Sequence, residues 1–167
     1  MVQQKPSKDQ GKTDQPEYIR PLILDWNIVH YWLSRKMRES ILPVLSELDK
    51  ARLQFCISEV TVYEAQCQLP VGKDADALQF IEGIPRYPVD TATQKVAGVI
   101  RSCYKDHDVT KQHASDISLQ DIYNASCTIL TNGLLLTADY HDYPRPFFDD
   151  VWHWTIKDDK GRQRATT

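Results

Sequence analysis

Leu22-Ile23-Leu24-Asp25 and Leu134-Leu135-Leu136-Thr137-Ala138-Asp139 are two apolar runs that each end in an aspartate. Each has the length and composition of a short buried strand carrying a carboxylate at its C-terminal end. In an open parallel α/β sheet, that edge is where ligands bind. The runs are far apart in the chain. A fold that joins them would bring carboxylates together where they attract a metal ion rather than simply repel one another.

The segments between the two runs alternate in kind. Residues 21–25 read as a strand, and Asn27 caps a helix carrying Ile28, Tyr31 and Trp32. A second helix is expected from about Glu39 to Lys50, with Pro43 tolerated near its start. Leu53–Ile57 reads as a strand, and Ser58 then caps a helix running to about Gln68. Further helices are expected over 74–82, from Thr91 to about His107, and over Ser118–Asn132 with Gly133 as its C-cap. Ile84–Val89 holds two prolines and reads as extended, while Val151–Ile156 alternates like a final strand. Strands alternating with helices predict an α/β fold with a central parallel sheet flanked by helices.

The chain has 167 residues, 41% hydrophobic and 26% charged, which suits one soluble domain. Residues 1 to about 17 are almost devoid of apolar side chains and predict a flexible tail. The domain is placed over residues 18–156, and residues 157–167 read as a basic tail carrying Lys160, Arg162 and Arg164. No run is long enough to span a bilayer and the N-terminus lacks a secretory pattern, so a cytoplasmic protein with no membrane partner is expected. The four cysteines form no CxxC and make no zinc spacing with the five histidines, so they read as small buried hydrophobes. The six glycines form neither a GxGxxG nor a phosphate loop. The formal net charge of −3 gives no global basic field, although a cluster of catalytic acids lowers that sum in a nucleic-acid enzyme too.

Two further acids join Asp25 and Asp139. Glu64 falls beside a stripe of Val60, Tyr63 and Cys67, where a carboxylate needs a partner, a metal or water. Asp121 closes Ser118-Leu-Gln-Asp, a capping box with Asp at its last position, yet the same geometry aims it at the sheet end. Each acid also has an ordinary role: Asp25 and Asp139 as turn or cap residues, Glu64 reaching solvent, Asp121 as a cap. Asp142 stands as an outer carboxylate or a turn residue. Carboxylates clustered on rigid elements suit Mg²⁺ or Mn²⁺, which take oxygen ligands and keep several waters. A metal so held activates water against a phosphodiester.

These residues resemble the PIN-domain family of metal-dependent nucleases. The resemblance runs from Leu22 to about Phe147. It rests on Leu-Ile-Leu-Asp25-Trp-Asn27, Ile-Ser-Glu-Val-Thr-Val-Tyr-Glu64, Asp121-Ile-Tyr-Asn-Ala-Ser and Gly133-Leu-Leu-Leu-Thr137-Ala-Asp139-Tyr-His-Asp142, in that order. It implies a PIN-like three-layer fold and a catalytic set of Asp25, Glu64, Asp121 and Asp139, with Asp25, Asp121 and Asp139 on the metal. It gives Asn27, Thr137 and Asp142 supporting roles. Trp26 and the run Ile-Tyr-Asn-Ala after Asp121 depart from the family pattern. Small members look like VapC-type toxins, so the resemblance implies an endoribonuclease of a type II toxin–antitoxin pair, with an antitoxin as partner and a homodimer as a candidate assembly. A PIN nuclease that is no toxin, or a silent PIN-like binding module, is the alternative.

Arg35, Lys36, Arg38 and Arg145 are the basic residues available to an RNA substrate, although a solvated helix end also explains the first three. Trp26 and Tyr140 flank the acids as candidate stacking residues, with core packing the favoured reading for Trp26, and Tyr31, Trp32 and Met37 fit a partner face or an interior equally well. A phosphatase of the haloacid-dehalogenase kind needs a second carboxylate two residues after Asp25. Asn27 stands there and argues against it.

Overall fold

The computed structural model describes residues 19–69, 75–106, 117–139, 142–143, 154–157 and 163–166. The order of elements follows the apolar periodicity closely. β1 (Pro21–Leu24) is followed by α1 (Trp26–Leu33), α2 (Arg35–Lys50), β2 (Gln54–Ser58), α3 (Glu59–Gln68), α4 (Ala75–Glu82) and β3 (Arg86–Tyr87). Then come α5 (Thr91–Asp106), α6 (Leu119–Leu130) and β4 (Leu134–Leu136), and finally β5 (Trp154–Lys157) and β6 (Gln163–Thr166).

β1 to β4 form one parallel sheet in the order β3-β2-β1-β4. The chain builds outward from β1 through β2 to β3, then returns to lay β4 on the other side of β1. The strand order therefore reverses between β1 and β4, and such a switch point opens a crevice at the carboxyl edge. Side chains alternate across the sheet. Leu22, Leu24, Ile57 and Leu136 pack with Ile28, Ile41, Leu45 and Ile81 of α1, α2 and α4, whereas Ile23 and Cys56 face Cys127 of α6. Ala97, Ile100 and Tyr104 of α5 pack with Ile122 and Ala125 of α6. Helices thus cover both faces, which is why the short strands are apolar throughout.

Several local expectations are corrected. α2 begins at Arg35, and Pro43 lies inside it. Pro43 is exposed, so water can satisfy the carbonyl that loses its donor. α6 ends at Leu130 with Thr131 as its C-cap, and Asn132 lies in the left-handed region at φ 48°. Gly133 is needed for another reason: a Cβ there would meet the Pro21 carbonyl oxygen at 2.9 Å. On α3 the buried residues are Thr61 and Ala65, while Tyr63 and Cys67 are exposed. The expected apolar stripe of Val60, Tyr63 and Cys67 is therefore not the packed face. The segment expected as a basic tail contains β6, paired antiparallel with β5. Residues 1–18 lie outside the described residues. Among the described residues, no helix is long and apolar enough to cross a membrane.

Candidate functional site

β1 delivers Asp25 to the carboxyl edge, where it is also the N-cap of α1 and accepts from the Trp26 backbone N–H. The apolar run that makes β1 bury itself carries Asp25 in with it, to 5% exposure. A buried carboxylate requires donors, and Asp25 has four. Oδ1 accepts from Trp26 N–H at 2.7 Å and from Asn124 Nδ2 at 3.1 Å. Oδ2 accepts from the Thr137 hydroxyl at 2.8 Å and Asn27 Nδ2 at 2.9 Å. Asn27 in turn accepts from Ala138 N–H at 3.0 Å, which ties the start of α1 to the chain leaving β4.

Asn124 is fully buried on α6, one turn after Asp121. Its amide oxygen accepts from the Ser58 hydroxyl at 2.5 Å and the Thr61 hydroxyl at 3.3 Å. Ser58 ends β2 and caps α3, so one amide connects the ends of β2 and β1. Asp121 completes its capping box with Ser118, whose N–H and hydroxyl both donate to Oδ2. Its Oδ1 accepts from the buried Tyr143 hydroxyl at 3.0 Å.

The electrostatics place three acids in one field. Burial pushes the Asp25 carboxyl up to about 6, with the Asp121 charge adding to it and the Thr137, Trp26 and Asn27 hydrogen bonds opposing it. Glu64, half-buried on α3, is pushed up to about 7 by burial and then by the charges of Asp25 and Asp121. Glu64 accepts no hydrogen bond from the described residues and ionises after Asp25. Tyr143 is raised well above the usual tyrosine range by burial and by Asp25 and Asp121, so its hydroxyl remains a donor.

Asp25, Glu64 and Asp121 are thus brought together. Asp139 is exposed, and its carboxylate makes no hydrogen bond to the described residues; its backbone N–H donates to Thr137 Oγ1 at 3.0 Å. Asp142 donates its N–H to the Asp139 carbonyl, and its own carbonyl accepts from the Tyr104 hydroxyl. Among the described residues, no three His, Cys, Asp or Glu side chains converge as a ready-made metal cage. Arg35, Lys36 and Arg38 are exposed at the start of α2, and Arg38 caps α1 by donating to the Trp32 carbonyl at 2.8 Å. Arg35 and Arg38 border a cleft of about 720 Å³ between α1, α2 and α4, which none of the four acids lines. Arg145 and Tyr140 lie outside the described residues. Trp26 and Met37 are buried in the core, so Trp26 is no stacking surface and Met37 no part of an exposed partner face. Sequence reasoning missed Asn124, Thr61 and Tyr143. The spacing from Asp121 to Asn124, one helical turn, is the signal that would have found the first.

No protein-family model and no curated protein matches the chain. Among solved structures it is similar to VapBC2 from Rickettsia felis bound to a DNA fragment from their promoter, at 21% identity and a TM-score of 0.58, covering 74% of this chain and 93% of that one. It is similar also to FitAcB from Neisseria gonorrhoeae, at 22% identity and a TM-score of 0.54, covering 73% and 90%. At such identities the likeness is one of fold. The PIN-domain family and its VapC-type toxin subgroup, expected from the resemblance, are therefore withdrawn. The motifs behind that expectation are strand ends, a helix cap and a mid-helix acid, local patterns that are not confined to one family. Fold and local pattern alone do not define function.

Proposed function

We propose that the protein is a Mg²⁺- or Mn²⁺-dependent endoribonuclease that hydrolyses RNA phosphodiester bonds. The observation that carries this is the shared field of three acids near the switch point, where the Asp121 charge raises Asp25 and the charges of Asp25 and Asp121 raise Glu64. No cationic side chain among the described residues bonds to any of the three. The donor set is all oxygen, which fits a hard cation. Mg²⁺ commonly takes one or two carboxylates and keeps its remaining waters, a smaller demand than a closed cage. Glu64 and Asp121 would hold it, since Asp25 already uses its roughly four acceptor sites. When bound, the ion supplies an activated water and charge neutralisation at the phosphodiester.

The chain's own residues then have separable tasks. Asp25 keeps a fixed negative charge behind the site. Tyr143 and Ser118 hold Asp121 in one orientation. Glu64, half-buried and without a hydrogen bond from the described residues, would keep its carboxylate oxygens for the ion. Arg35 and Lys36 offer phosphate contacts along α1 and α2. Asp25 is recessed, which favours a single strand over a stiff duplex. The likeness to VapBC2, solved bound to a DNA fragment, makes DNA the comparison substrate.

The test is cleavage of labelled single-stranded RNA by the purified protein with and without Mn²⁺ or Mg²⁺. Glu64→Gln and Asp121→Asn are each expected to lower the rate at least about 100-fold. Metal-independent cleavage, or no cleavage of RNA, would overturn the proposal.

A further inference from the structure

Resting on that reading, we propose that Asn124 is a positioning residue that sets the gap between Asp25 and Asp121. Of the four donors to Asp25, Trp26 and Asn27 belong to the start of α1 and Thr137 to the end of β4. Asn124 alone comes from α6, the helix that carries Asp121. The two residues are one turn apart, so the 3.1 Å bond from Asn124 to Asp25 fixes how closely α6, and with it the Asp121 carboxylate, approaches the end of β1.

The direction of that amide is itself fixed. Its oxygen accepts from two hydroxyls, Ser58 and Thr61, which leaves its nitrogen to face Asp25. A flipped amide would set an oxygen against Asp25 and a nitrogen against Ser58. Ser58 at the end of β2 and Thr61 of α3 supply the hydroxyls, the residue after β1 the carboxylate, and Tyr143 reaches the same amide. Full burial shuts bulk water away from this amide. The residue is thus placed to act on a bound ion without touching it, through the spacing of two acids.

The experiment compares wild type with Asn124→Leu and Asn124→Asp, using Mn²⁺ titration by calorimetry at low temperature, melting of the metal-free protein, and steady-state cleavage of single-stranded RNA. Loss of such a supporting partner typically costs 10- to 100-fold in metal affinity or activity. Both variants are expected to bind Mn²⁺ about 10-fold more weakly and to lose kcat with little change in KM. N124D keeps the acceptor for Ser58 and Thr61 and adds a negative charge. A gain in Mn²⁺ affinity there would show that charge count, not spacing, governs the site. A residue that only packs would lower the melting temperature and leave the Mn²⁺ affinity of the folded protein unchanged, and that result overturns the assignment. Should N124L not fold, N124D decides between the two. A wild type that neither binds Mn²⁺ nor cleaves RNA defeats the underlying function instead, and the Asn124 assignment with it.

Discussion

The ends of β1 and β4 look alike in sequence and differ in the fold. Leu24 pairs with Leu136, so the residue matching Asp25 across the sheet is Thr137, not Asp139. Asp139 matches Asn27. This offset of two residues separates a carboxylate buried under four donors from one that is exposed. Apolar residues followed by Asp are therefore too coarse a pattern. The distance from the last paired residue decides whether an acid enters the site or the solvent.

The largest effect should come from removing the buried acid. Asp25→Ala strands four donors, and unsatisfied buried groups cost about 1–3 kcal/mol each before relaxation. A loss of about 3 kcal/mol is expected, lowering Tm by roughly 6–12 °C. Asp139→Ala should stay within about 0.5 kcal/mol, as exposed substitutions do. Equal melting shifts for the two variants would break the comparison.

The second effect is on pH. Asp25 and Glu64 have folded pKa values near 6 and 7, above their ordinary 3.8 and 4.5. The folded state therefore holds protons that the unfolded state releases. The stability tied to these groups is full below about pH 4 and is lost as pH rises through 6 and 7. Tm should fall from pH 5 to pH 8, and Glu64→Gln should flatten the upper part of that fall. Mn²⁺ at about 100 times its Kd should restore about 2.7 kcal/mol at pH 8 and much less at pH 5, where protons compete. Asp139→Asn should leave the profile unchanged.

Thr137→Val gives a smaller shift than Asp25→Ala. It removes the hydroxyl that donates to Asp25 and accepts from Asn27 and Asp139. A cost of about 1–2 kcal/mol in thermal melting is expected, without the near-complete loss of cleavage that Glu64→Gln should bring. A neutral Thr137→Val would show that the matching position at β4 carries no weight.

Much of the architecture was legible because strands and helices differ in apolar period. β1, β2, α3 and α5 fall within a residue or so of expectation. The faces of the helices were harder. α3 has its apolar residues scattered, and its orientation is decided by Ser58 and Thr61 meeting Asn124 across the sheet end. α6 buries Ile122 and Asn124 through Thr128 while Leu119, Ile129 and Leu130 remain exposed, so its apolar residues do not all lie on the packed face. At the site, Asp25, Glu64 and Asp121 could be named because each stands at a strand end, a helix face or a cap with a local signature. Asn124 has none. Its role exists only after β1, β2 and α6 have met, and no periodicity in one segment encodes a meeting of three.

Gly133 works at the opposite end of β4 from the site. A Cβ there would sit 2.6 Å from Thr131 Oγ1 and 2.9 Å from the Pro21 carbonyl oxygen, and Arg20 already grips this corner through the Asn132 and Gly133 carbonyls. A bulkier residue would have to pry β4 away from β1. Four residues later, about 13 Å along the strand, the same tilt would arrive at the bond between Thr137 and Asp25. The strand is a stiff lever with its fulcrum at a hydrogen atom, and a single methyl group at one end can spoil the alignment at the other.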